Sequence, residues 1–396
     1  MNTDLDRLQP YPFERLAALT ADIAPPRDLK PITLTIGEPR HEAPASVAAA
    51  LRDSLHLLSH YPTTRGSAEL RRAVADWMHR RYRIPRPDAD TQVLPVTGTR
   101  EALFAIAQAC VSRTPGALVL SPNPFYQIYQ GATLLAGADP AFMNCVAGND
   151  FLPDPDAICS DTWQRCQLLY LCTPGNPSGA VMPLSLLRRF IEKALEHDVV
   201  LVSDECYSEI YRNEDTPPAG LLQACRDAGN ASYRNCLSFQ SLSKRSNLPG
   251  LRSGFVAGDA KLIDAFTRYR TYHGCAMPPH HQAASVVAWA DENHVTTNRV
   301  YYREKFDRVA AILAPHLTLQ IPEAGFYLWP ETPIPDTEFA RRLYAEENVR
   351  VLPGRFLAQE AGGINPGENR VRMALVAELA DCEEAARRIV RFLGRL

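Results

Sequence analysis

Residues 166–204 read CQLLYLCTPGNPSGAVMPLSLLRRFIEKALEHDVVLVSD. QLLYLC is apolar on both faces and of strand length. A Pro/Gly-rich turn follows, then LSLLRRFIEKALEHD, an amphipathic helix, and then a second apolar run, VVLVSD. Strand, helix and strand in succession, with both strands apolar on both faces, indicate parallel pairing in a sheet covered by helices on its two sides. Outward from this unit the pattern repeats. Upstream come TQVLPV, the helix TREALFAIAQACV, ALVLS and a helix through Tyr129 to Ala136; downstream, after a loop, come NCLSFQ and GFVAGD. From about Asn293 the texture changes. A long charged helix runs through Phe306 and Leu313, followed by short strands around Gly325 to Trp329 and Asn369 to Leu375 and a closing amphipathic helix. The expectation is an α/β protein with a mostly parallel sheet sandwiched by helices over 45–290. A smaller α+β domain combines an N-terminal arm, 1–44, with 291–396.

The chain is 396 residues long, ample for a large core. Forty-two Lys and Arg against forty-five Asp and Glu give a net charge of −3, without a run of like charge. That balance argues against coating nucleic acid or a polybasic membrane role. Polar residues interrupt every apolar stretch well short of the roughly 18 residues a membrane span needs. The start, MNTDLDRLQPYPF, has neither a cationic nor an apolar leader region, so a cytoplasmic location is expected. The ten cysteines are dispersed and form no CxxC, which reads as free thiols packed as small core residues, with no metal site expected. His280 and His281 follow two prolines and read as a loop or a helix start.

Ligands of such a sheet collect at the carboxyl ends of strands and the amino ends of helices. Neither Gly175 to Gly179 nor Gly250 to Gly258 has the GxGxxG spacing, which removes the main support for a dinucleotide site. Polar residues do gather at strand ends. Asp204 closes VVLVSD with Tyr207 three residues on, and Lys244 lies just past NCLSFQ in SLSK with Arg252 eight residues further. Each alone is compatible with an ordinary ion pair.

Together with IGEP, YPTTRGSAELRRAV, the helix opened by GTREA, PFYQIY, NPSG, DECY and ENRVRMAL, they resemble the class I aminotransferases of fold type I, which use pyridoxal 5′-phosphate. The motifs occur in that family's order and at its spacings over nearly the whole chain. The resemblance implies that Lys244 forms the Schiff base with the cofactor and shuttles the proton, and that Asp204 pairs with the pyridinium nitrogen. It assigns Asn176 and Tyr207 to the 3′ oxygen, and Tyr126 to a stack on the ring. Phosphate would be held by the helix start at Gly98, Thr99 and Arg100, by Ser241 and Ser243, and by the guanidinium fork of Arg252. Tyr61 matches a tyrosine that reaches the phosphate of the partner subunit, implying a homodimer with shared sites. Arg372, with the backbone of Gly37, would bind the α-carboxylate of the substrate. Arg370 lies two residues away and in a strand would share its face; periodicity does not choose between them, and the motif favours Arg372.

Within the family, LQPYPFERLAAL, IGEPRHEAP, SKRSNLPGLRSGF, TYHGCAMPPHHQAASVVAW and ENRVRMALVAE look most like the succinyldiaminopimelate aminotransferases of lysine biosynthesis. These exchange an amino group between glutamate and N-succinyl-2-amino-6-oxopimelate. The alternative is a broader aminotransferase for aspartate, alanine or aromatic amino acids. A succinylated substrate carries remote carboxylates, for which Arg40, Arg245 and Arg355 are the candidate partners. Arg355 stands in LPGRFL where many relatives carry a small residue.

Overall fold

The computed structural model describes residues 1–396. Its strands are, in chain order, β1 (Ile32–Thr33), β2 (Val93–Val96), β3 (Leu118–Asn123), β4 (Asp139–Asn144), β5 (Cys166–Cys172), β6 (Val200–Asp204), β7 (Cys236–Ser241), β8 (Gly254–Gly258), β9 (Tyr327–Leu328), β10 (Val349–Arg350), β11 (Leu352–Pro353) and β12 (Val371–Ala374). Seven of them form one sheet in the order β2-β8-β7-β6-β5-β3-β4. Only β8 is reversed, pairing antiparallel with both β2 and β7.

The central strands β5 to β8 are buried almost throughout, as doubly covered strands must be. One large apolar cluster joins Trp77, Phe190, Phe255 and Trp289 on one face, and a second joins Tyr129, Tyr170, Phe239 and Phe266 on the other. A separate cluster unites Ile32 and Leu34 with side chains from Phe306 to Phe392. The second sheet, β11-β12-β9, and the pair β1-β10 lie in that later part of the chain, with the early strand β1 joined to it by parallel pairing.

The helix Thr99–Cys110, the helix Leu184–Glu196 and the long helix Asn293–Leu313 fall where the sequence periodicity puts them. The edge strand β4 does not stand out in the sequence. It reads DPAFMN, is only partly buried, and carries a proline, as edge strands tolerate. His280 and His281 sit in the first turn of the helix Pro279–Ala290. All ten cysteines are free, six of them buried, and no helix is long and apolar enough to cross a membrane.

Candidate active site

Strand register assembles the site. Cys172 pairs with Asp204 across β5 and β6, and Gly254 lies opposite both Ser241 of β7 and Val96 of β2. The turns that follow β2, β5, β6 and β7 and the one that precedes β8 therefore open at a single edge of the sheet. There they line a cleft of about 880 Å³, with the loop 36–38, Tyr327 and Arg372 on its other side. Of the residues assigned from the sequence to the cofactor or to the α-carboxylate, all but Gly98 and Tyr61 line this cleft.

Asp204 is 4% exposed. Its Oδ2 accepts from the Tyr129 hydroxyl at 2.8 Å and its Oδ1 from the Cys206 N–H at 3.2 Å. Burial pushes its carboxyl above the ordinary range, so a cation set against it would be strongly favoured. Strand alternation sends the neighbouring Glu205 to the opposite side. There it accepts from Gln240 Nε2 and the Leu221 N–H, each at 2.7 Å, and from Tyr82 at 3.2 Å. The two carboxylates of DECY thus part, one into the cleft and one into a satisfied core network.

Lys244 lies on the single turn Leu242–Arg245 that follows β7. Its Nζ donates to the carbonyl oxygen of Gly37 and sits 5.4 Å above the centre of the Phe326 ring. Burial is the main reason its pKa falls from 10.5 to about 8, with Arg372 and Arg252 adding charge repulsion. It is a neutral nucleophile at far lower pH than an exposed lysine.

Beside it the helix Thr99–Cys110 begins at Gly98, whose φ of +91° and ψ of 150° suit only glycine. A Cβ on Gly98 would also run into the Arg252 guanidinium. Gly98 thus lies against Arg252, which itself lines the cleft. The Arg252 Nη1 donates to the Pro249 carbonyl at 3.0 Å. Ser241 caps the turn carrying Lys244 by accepting the Ser243 N–H at 3.1 Å. Free helix N–H groups, hydroxyls and a guanidinium converge here, which is the chemistry of an anion cradle.

Across the cleft, Arg372 of β12 is buried. Its Nη1 donates to Asn176 Oδ1 at 2.9 Å and its Nη2 to the Thr35 carbonyl at 2.7 Å, while its Nε has no partner. Arg370 does not share this position. It precedes β12, donates to the Trp329 carbonyl at 3.0 Å and lies over the Phe151 ring. Its backbone is bridged to Glu331, and its guanidinium is drawn away from the cleft by the Trp329 carbonyl and by Glu331, 3.6 Å away. The Tyr207 hydroxyl bonds that of Tyr327 at 2.9 Å. Gly37 is required at its position by the close approach of the same Tyr327 hydroxyl. Tyr126 lines the cleft and meets Tyr129 edge to face, with ring centres 5.8 Å apart.

Tyr61 is fully exposed and points into no part of its own chain's cleft. The three arginines considered for remote carboxylates are elsewhere too. Arg245 is 1% exposed, donates to Glu292 at 2.6 Å and to the Ala288 carbonyl at 2.7 Å, and lies near the Trp77 and Trp289 rings. Adjacency in sequence to Lys244 misled, because successive side chains on a helical turn diverge by about 100°. Arg355 is held by Asp336 at 2.7 Å and Glu368 at 3.2 Å. Arg40 is exposed and lines a different cavity.

Other contributors had no role assigned from the sequence. Tyr129, the last residue of PFYQIY, supports Asp204 from behind the cleft, and Tyr327, which lines it, supports Tyr207. Tyr11, Pro12, Phe13 and Glu14, at the start of the helix Pro12–Leu19, line part of the cleft, and the exposed Arg100 guanidinium lies 5.5 Å from the Tyr11 ring centre. The proline-flanked aromatics of LQPYPFER were the only hint. An adjoining recess of about 230 Å³ shares Tyr11, Arg100 and Gln127 with the cleft and adds Arg15, which stacks on Phe356. Neither Arg15 nor Arg100 is paired with a carboxylate, whereas most arginines of the chain are.

The sequence profile of the family described as "Aminotransferase class I and II" matches residues 30–389. The chain is 32% identical over 399 residues to an LL-diaminopimelate aminotransferase of Moorella thermoacetica, covering 98% of this chain and 97% of that protein. Among solved structures, an aminotransferase of Neisseria meningitidis Z2491 is 47% identical with a TM-score of 0.95, covering 99% of this chain and all of that one. The aminotransferase AspB of Helicobacter pylori 26695 is 35% identical with a TM-score of 0.91, covering 98% of this chain and 100% of that one.

Proposed function

The chain belongs to the class I and II aminotransferases, and from that premise we propose that it uses pyridoxal 5′-phosphate to move an amino group between glutamate and N-succinyl-2-amino-6-oxopimelate. The donors present suit that cofactor. The cradle of Thr99, Ser241, Ser243 and Arg252 suits a phosphate, and the buried carboxylate of Asp204 suits a protonated ring nitrogen. Asn176 and Tyr207 suit the ring's 3′ oxygen, and Tyr126 a face of the ring. When bound, the cofactor supplies an electron sink that makes the substrate Cα–H acidic. The chain supplies the rest. Lys244, neutral at modest pH, carries the proton; Arg372, with its unpartnered Nε and the backbone of Gly37, grips the α-carboxylate; Asp204 keeps the opposing nitrogen charged.

The observation that carries the substrate reading is the pair of uncompensated guanidiniums, Arg100 and Arg15, in the recess beside the cleft. A succinylated substrate is long and ends in carboxylates, and two cations without carboxylate partners in a recess adjoining the cleft suit those remote charges. They take the place of Arg40, Arg245 and Arg355. A second reading, free LL-diaminopimelate as amino donor, is favoured by the relatives' names and by the carboxylates of Glu14 and Glu38 on the cleft wall, which would suit a distal ammonium. The same proposal makes the protein a homodimer in which the exposed Tyr61 completes the partner's cradle, and divides the chain into lobes 45–290 and 1–44 with 291–396.

A panel of 2-oxo acids with glutamate as donor tests the substrate. The succinylated acid should give the highest kcat/KM. Preference for oxaloacetate or pyruvate overturns the reading, and turnover of free LL-diaminopimelate with 2-oxoglutarate above that of the succinylated compound selects the second.

A further inference from the structure

Behind the cleft a part-buried chain of hydrogen bonds ends on the backbone of Lys244. Lys305 and Asn298 lie seven residues apart on the helix Asn293–Leu313, two turns along one face, and both are buried. Lys305 Nζ is 2.7 Å from His41 Nε2, and His41 Nδ1 is 2.7 Å from Asn298 Oδ1. Asn298 Nδ2 then donates to the Lys244 carbonyl at 3.4 Å. That carbonyl ends a single helical turn and has no helical partner of its own. The far end of Lys244 returns to the same loop, since its Nζ donates to Gly37 O, four residues before His41.

The polarity of the chain has one consistent assignment. An ammonium only donates, so Nε2 of His41 must accept and Nδ1 must carry the proton. Nδ1–H then turns the Asn298 oxygen towards itself, which leaves the amide NH₂ facing the Lys244 carbonyl. The rings of Tyr301 and Tyr302 pack on His41 at 5.1 and 4.7 Å. Glu378 and Arg40 act on His41 and Lys305, the Cys382 thiol lies beside Lys305, and Glu42, His294 and Glu304 line the same cavity. Burial holds the pKa of His41 down, in keeping with a neutral ring.

We propose that Lys305, His41 and Asn298 are positioning residues. They act as a relay in which the charge of Lys305 selects the His41 tautomer, the tautomer orients Asn298, and Asn298 fixes the main chain of Lys244 while the His41 loop fixes its amine. The proposal rests on the reading of Lys244 as the reactive amine and on nothing about the substrate. Without the relay the loop loosens, water reaches Nζ, and the amine reverts towards an ordinary lysine.

The test is the rate at which an amine-reactive acylating reagent modifies Lys244 in the full chain without cofactor, read by peptide mass spectrometry from neutral to alkaline pH. A parallel titration follows the visible band of the holoenzyme. In Asn298→Ala and Lys305→Met the Lys244 midpoint should rise from about 8 by one unit or so, which slows labelling near neutrality about tenfold. Asn298→Ala changes no charge, so its shift cannot come from a lost Coulomb field. Lys305→Arg, still a pure donor, should keep the wild-type profile. The relay is refuted if either of the first two variants labels like wild type, or melts lower without changing the profile, or if Lys305→Arg behaves like Lys305→Met. Failure of the oxo-acid panel leaves this labelling result untouched, so the two outcomes are separable.

Discussion

Replacing Gly98 by alanine separates two effects that coincide at one atom. The backbone there has φ +91° and ψ 150°, a region in which an L side chain is strained. Holding it there costs on the order of 1–3 kcal/mol. That cost falls on the folded chain whether or not cofactor is present, and differential scanning of the cofactor-free protein should show it as a lowered Tm. The second effect is specific. The new methyl would occupy space now taken by the Arg252 guanidinium. Arg252 must swing away, and its charge-assisted hydrogen bonds to a phosphate, worth roughly 1.5–3 kcal/mol, are lost. Affinity for pyridoxal phosphate should fall about ten- to a hundredfold, measured by equilibrium dialysis or by the visible band on titration. Arg252→Ala should show the affinity loss without the strain. A Gly98→Ala protein with wild-type cofactor affinity would refute the placement of Arg252 in the cradle, and one that also melts normally would refute the strain.

Asp204→Asn should still bind cofactor through the phosphate cradle yet lose most turnover in steady-state assays, since the ring nitrogen loses its charged partner; near-normal turnover would count against the role. Borohydride reduction of the holoenzyme should fix the label on Lys244, found by peptide mapping. Arg372→Lys should lower kcat/KM about ten- to a hundredfold for every amino acid and oxo acid, whereas Arg370→Ala, which removes a contact to the Trp329 carbonyl, should be nearly neutral in the same assay. Mixing Tyr61→Ala with Lys244→Ala subunits should restore activity in hybrid dimers; no recovery after demonstrated exchange would rule out a shared site.

What the sequence by itself determined is local or periodic. Burial on both faces makes QLLYLC and VVLVSD continuous apolar runs, and a helix with one buried face must repeat its apolar residues every three or four positions, so the alternation of the large sheet is legible from 93 to 258. The same holds for Asp204 and Ser241, which close strands, and for Lys244, which follows one, because the backbone needs such an end to open onto a ligand. The edge strand β4 escaped because half-burial leaves no apolar run. Tertiary structure decided where long side chains go. Arg245, Arg355 and Arg40 look equally free in sequence, yet Glu292, Asp336 with Glu368, and a separate cavity claim them from distant elements. Arg370 and Arg372 differ because the Trp329 carbonyl and Glu331 claim one guanidinium, while Asn176 and the Thr35 carbonyl hold the other at the cleft. The unpaired Arg15 and Arg100, and the path from Lys305 through His41 and Asn298 to Lys244, join residues up to 264 positions apart. A guanidinium or an ammonium reaches several ångströms from its backbone, so its partner is set by packing between elements, which no local pattern encodes.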